Sequence, residues 1–136
     1  MQIFKSMNVS SSGLTAERFR LDLIANNIAN AHTTRSEDGG PYQRKSAVFA
    51  EVMDGARKSG QGVRVQGVSV DSTEPRLVYE PEHPDANEEG YVAYPNVNIV
   101  QEMVDMITAT RAYEANVTAL NASKNMFLKA LEIGRG

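Results

Sequence analysis

The sequence contains no cysteine, so disulfides, cysteine nucleophiles and thiolate metal sites are excluded. It has no excess of positive charge: 14 Lys and Arg stand against 17 Asp and Glu, a formal net charge of −3. A protein built to grip nucleic acid needs a basic stripe, so no nucleic-acid partner is expected. No run of about 18 apolar residues occurs, and no direct membrane insertion is expected. The opening stretch Met1-Gln2-Ile3-Phe4-Lys5-Ser6-Met7 lacks the apolar core and small-residue site of a cleaved signal peptide. If the chain leaves the cytoplasm, it is expected to use a route that reads no such signal.

Chemical motifs are equally scarce. His32 and His83 stand apart with no HxxxH or HExxH spacing. Gly60-Gln61-Gly62 has no Lys-Ser/Thr after it, so it is not a phosphate loop, and no G-x-S-x-G elbow is present. The acidic stretch Glu80 to Glu89 lacks the sixth-position Gly and the alternating oxygen ligands of a calcium loop. No catalytic residue, metal site or cofactor is expected. The stretch reads as an extended, solvated connector.

What is present is helical patterning at both ends. Hydrophobic content of 41% and charged content of 23% over 136 residues suit one packed domain. All five prolines and nine of ten glycines fall outside two long segments. The C-terminal one runs from Asn98 to Ile133. With Met103 at heptad position a, Met103, Thr110, Val117, Lys124 and Leu131 fall at a, and Ile99, Met106, Tyr113, Leu120 and Phe127 at d. Eight of these ten are large and apolar, the spacing of a seam against another helix. Val100, Ile107 and Leu128 form a second apolar line. Asn98 with Gln101 fits a capping box, and Gly134 a C-terminal stop.

Residues 3 to 30 form the matching N-terminal helix, with Met7, Leu14, Leu21 and Ile28 on one line, Ile24 and Ala31 on the next, and Ser10 and Glu17 interrupting it. Ser10-Ser11-Ser12-Gly13 costs helix stability and marks a bend. Asn26, Asn27 and Asn30 sit among small Ala residues near the end. They read either as a face for close helix approach with hydrogen bonds across it, or as a fraying end leading into a loop. Residues 32 to 46 read as a loop or partly disordered stretch, 42 to 53 as a short strand, and Asp54 to Gly62 as a linker. Gly62 to Asp71 alternates Val with polar residues as a strand with a bulge at Gly67, and Arg76 to Tyr79 as a second short strand. The fold class is mainly α with a small β insert, the long terminal helices forming a coiled-coil-like pair. The expected boundaries are 1–35, 36–95 and 96–136, the two terminal segments making one helical domain.

Three stretches resemble the bacterial axial flagellar proteins. Leu23-Ile24-Ala25-Asn26-Asn27-Ile28-Ala29-Asn30-Ala31-His32-Thr33-Thr34-Arg35 is similar to the N-terminal signature of rod and hook proteins. Pro75 to Asn87, with Gly90-Tyr91-Val92 and Pro95-Asn96-Val97, resembles the FlgC family of basal-body rod proteins in particular. Gln101 to Met106 and Arg111 to Val117 are similar to the C-terminal helix of that family. His32 stands where such proteins more often show Asp or Ser, and Asn98 where they usually have Asp. The resemblance implies a structural subunit of the proximal rod and no enzyme. It implies contact with other rod proteins and copies of itself, with the membrane ring and its rod adaptor, and with the export apparatus. The expected assembly interface is Leu14, Leu21, Ile24, Asn26, Asn27, Ile28, Asn30, Met103, Met106, Tyr113, Val117, Leu120, Phe127 and Leu131. A cytoplasmic helical adaptor or secretion chaperone using the same stripes is the alternative, and a small metal hydrolase built on the acidic segment ranks third.

Overall fold

The computed structural model describes residues 2–55 and 59–136. Two long helices, α1 (Gln2–Ala29) and α2 (Ile99–Arg135), enclose four strands: β1 (Lys45–Asp54), β2 (Ser59–Val70), β3 (Arg76–Tyr79) and β4 (Tyr91–Tyr94). β1 pairs with β2, and β3 with β4, in separate two-stranded sheets. This is the expected mainly helical class with a small β insert.

The helix α1 passes through Ser10-Ser11-Ser12-Gly13 without a break. The hydroxyls of Ser6, Ser12 and Thr15 donate to the carbonyls of Ile3, Val9 and Ser11, so they are satisfied inside the helix rather than competing with it. At the start of α2, the Asn98 carboxamide oxygen accepts from the amides of Val100 and Gln101 at 3.1 and 3.2 Å, a true N-cap. The expected capping box is only half made. Gln101 donates to Asp105 one turn on instead of reaching back. Nor does Gly134 stop the helix, which continues to Arg135; the left-handed glycines among the described residues are Gly39, Gly62 and Gly90.

The chain packs as two compact units. One comprises Met1–Leu21, Ala47–Gly67 and Ile107–Gly136. In it the helices lie antiparallel: Phe4 meets Phe127 edge-on with centroids 5.2 Å apart, the Ser6 and Ser123 hydroxyls are 3.3 Å apart, and Gly13 sits against the Asn116 carboxamide. Small residues (Ala16, Ala109, Ser123) are the buried ones here. β2 joins α1 in this unit, the Val63 amide donating to Ser12 Oγ at 3.0 Å. Gly62 reaches this contact at φ +133°, and a Cβ there would lie 2.3 Å from Ser12 Oγ.

The other unit comprises Asp22–Ser46 and Val68–Met106. Its centre holds Ile24, Ala31 and the fully buried Val92. Val92 lies on β4, opposite Val78 of β3 in an antiparallel register running from Arg76↔Tyr94 to Tyr79↔Tyr91. Two expectations are corrected here. The acidic stretch is not an extended connector but the closed loop of the β3–β4 hairpin: the Glu80 amide donates to Gly90 O, His83 to Glu80 O, Ala86 to His83 O and Gly90 to Asn87 O. Gly90 adopts φ +84°, and a Cβ there would lie 2.9 Å from the Tyr79 ring and 3.1 Å from Pro81. The stretch after α1 is likewise ordered, through Ser36 N to Gly40 O and Tyr42 N to Thr33 O, before β1 begins at Lys45. The linker expected over Asp54 to Gly62 is strand from Ser59 onward, while residues 56–58 lie outside the described residues.

Candidate functional site

The N-terminal Asn cluster divides its labour. Asn26 is exposed. Asn30 stays local, donating to Asn26 O at 2.9 Å and accepting from Thr33 Oγ1 as the helix unwinds. Asn27 alone turns inward and is 1% exposed. Its carboxamide nitrogen donates to Lys45 O at 2.8 Å and to Glu102 Oε2 at 3.0 Å. Its oxygen accepts from Tyr42 OH at 2.8 Å and from the Lys45 amide at 3.0 Å. Two donors and two acceptors are the full capacity of this side chain, and all four are used.

Glu102, also 1% exposed, completes the cluster. Its other oxygen accepts from Arg44 Nε, and the Arg44 guanidinium extends to Asp105 at 3.5 Å. Burial first, and the Glu102 carboxylate second, push the Tyr42 phenol above its ordinary 10.0. Tyr42 therefore stays a neutral donor to Asn27 at neutral pH. A second clasp holds the hairpin loop: Thr34 Oγ1 donates to Asp85 Oδ2 at 2.7 Å, and Arg35 pairs with the other oxygen. The Thr34 hydrogen bond leads, with Arg35 adding to it, in holding the Asp85 carboxyl below its ordinary 3.8. The rings of His32 and His83 both stand edge-on to Tyr94, with centroids 6.2 and 6.3 Å away. Among the described residues no group of three His, Cys, Asp or Glu could hold a metal ion.

The remaining interface candidates separate by face. Ile24 is buried, and Leu14, Leu21, Ile28, Met106, Tyr113, Val117, Leu120 and Phe127 are half-buried. Met103 and Leu131 are exposed. Along α2, the inward position beside the Ile99–Met106–Tyr113–Leu120–Phe127 line is taken not by Met103, Thr110 and Lys124 but by the residue before each, Glu102, Ala109 and Ser123, with Asn116 sharing it with a half-buried Val117. Small and polar side chains there allow close approach and hydrogen bonding. The apolar line one step round is left outside, with Val100 71%, Met103 52% and Ile107 55% exposed. Sequence reasoning did not single out Tyr42, Arg44, Glu102 or Asp105. The one available signal was Glu102 itself, an acid seven residues before Ala109 on the inward line. Arg44 lies 58 residues away, beyond any local pattern.

Residues 7–35 match the family described as "Flagella basal body rod protein", and residues 88–133 match "Flagellar basal body rod FlgEFG protein C-terminal". The first match takes in Asn27, and the second takes in Glu102. Full-length relatives agree. The chain is 48% identical to the flagellar basal-body rod protein FlgC of Borreliella burgdorferi over 152 residues, covering 100% of both chains. It is 46% identical to that of Bacillus subtilis, covering 99% of this chain and 100% of the relative, and 41% identical to that of Escherichia coli O6:H1 with the same coverage. The chain belongs to the FlgC family of flagellar basal-body rod proteins, a structural family and not an enzyme family.

Proposed function

We propose that this rod subunit assembles helically in the proximal rod, its terminal helices packing beside those of neighbouring subunits, where they line the central channel and transmit torque. Its partners are copies of itself and other rod proteins. The membrane ring with its rod adaptor contacts the assembled base, and the flagellar export apparatus delivers the chain. The terminal segments 1–35 and 96–136 act together as the helical assembly domain, and 36–95 is the insert they carry. The observation that carries this reading is the apolar line on α2, Val100, Met103, Val104 and Ile107, at the i, i+3, i+4, i+7 spacing of one helix face and about half exposed or more. Burying such half-exposed side chains contributes roughly 1 kcal/mol each, so four stabilise a contact by about 4 kcal/mol per subunit. Head-to-tail contacts of this kind build an open filament. A cytoplasmic adaptor reading draws no support from the family matches.

The test is a Met103→Glu/Ile107→Glu double variant in cells lacking the native gene. Both positions are on the outside, so helical content of the purified chain is expected to be retained. Electron microscopy is expected to show membrane rings without a completed rod, and the cells not to swim. Intact rods and normal swimming would sink the proposal.

A further inference from the structure

We infer that Asn27, Arg44 and Glu102 are positioning residues: they select one register of α1 on α2 and one start for β1, and their role is uniqueness of the fold rather than its stability. The consequence for assembly rests on the reading above; the claim about register does not.

Three observations carry it. First, the Asn27 carboxamide meets both the N–H and the C=O of Lys45, as a neighbouring strand's backbone would. The first residue of β1 is thus docked on a side chain of α1 and cannot shift by one without losing both bonds. Second, one carboxylate ties this node to α2 and to Arg44 at once. Third, the inward line of α2 holds a single charge: Glu102, then Ala109, Asn116 and Ser123 at heptad intervals. An apolar seam of period seven tolerates a slip of one heptad, because one large side chain replaces another. The polar cluster does not. A slip brings Ala109 to Asn27, leaves Glu102 buried away from Arg44, and strands the Asn27 donor that meets Glu102. Apolar groups of similar volume would fill the site about as stably, so what the charges add is discrimination between registers.

The test compares native chain, Glu102→Gln, and the triple variant Asn27→Leu/Arg44→Leu/Glu102→Leu, full length, by circular dichroism and by amide resonances in a two-dimensional nitrogen-15 spectrum. The triple variant is expected to keep native helical content and a melting temperature within a few degrees of native or above it. Its amides over residues 22–46 and 96–106 are expected to split or broaden, where native chain and Glu102→Gln give one peak per residue. A single sharp native-like set in the triple variant would overturn the inference. So would loss of its helical content, because the cluster would then be a stability element. Normal swimming of cells carrying a triple variant whose peaks are split would instead count against the assembly reading alone.

Discussion

Replacing Glu102 alone by Ala is the sharpest perturbation of the buried cluster. The carboxylate is 1% exposed and accepts from Asn27 and Arg44. Its removal strands one Asn27 donor, at about 1–3 kcal/mol for an unsatisfied buried group. It also leaves the Arg44 guanidinium with the more distant carboxylate of Asp105, at 3.5 Å. Breaking a fully buried pair by deleting one partner costs about 3–5 kcal/mol. The Arg44 side chain is 27% exposed and keeps one carboxylate, so a smaller share applies. Together these give a loss of about 3 kcal/mol, a large fraction of the ~5–15 kcal/mol that holds a domain of this size. With an unfolding entropy of ~2.1 cal/mol/K per residue, the melting midpoint should fall by about 10 °C. Thermal and urea unfolding followed by helical circular dichroism measure it. Glu102→Gln keeps one acceptor oxygen, enough for Asn27 or Arg44 but not both, and should recover only part of the loss. A loss under ~1 kcal/mol for Glu102→Ala, or equal losses for Ala and Gln, would refute the reasoning.

Three further perturbations read out other parts of the molecule. Gly62→Ala forces a Cβ to 2.3 Å from Ser12 Oγ at a φ of +133° that L side chains rarely adopt. It should destabilise by about 2 kcal/mol or more in urea titrations, whereas Gly39→Ala, with open space around it, should show the left-handed cost of about 1 kcal/mol alone. Asn98→Ala removes the cap of α2 and should cost about 1 kcal/mol, with Asn98→Asp restoring it. Asp85 has a folded-state pKa below its unfolded value, so its contribution is present above the ordinary 3.8 and is lost as pH falls through the lowered value. Asp85→Asn should therefore be less stable than native at pH 6, and the difference should shrink below pH 4 in acid titrations of the unfolding midpoint.

Much of this architecture was legible in the order of residues. Helices at both ends follow from apolar residues at heptad spacing with proline kept out, and β2 from valines alternating with polar residues. The cap at Asn98 follows from side-chain chemistry within three residues. These are local properties, set by backbone geometry and by periodicity. The strand β4 was not recognised, because Tyr91-Val92-Ala93-Tyr94 is too short to show a pattern and forms only by pairing with β3. The ordered loop of residues 80–90 was hidden for the same reason: its acids look solvated until Thr34 and Arg35, fifty residues earlier, close on Asp85.

The inward face of α2 was decided by tertiary structure. A heptad count ranks positions by size and hydrophobicity, and so favours Met103 over Glu102. Packing ranks them by what stands opposite, and Asn27 and Arg44 stand opposite Glu102. The sequence alone determined two striped helices, the small β insert between them and a family signature at the end of the first. Only the folded chain decided which stripe is internal. A buried polar partner and a close backbone approach depend on residues far apart in sequence, and no local period encodes them.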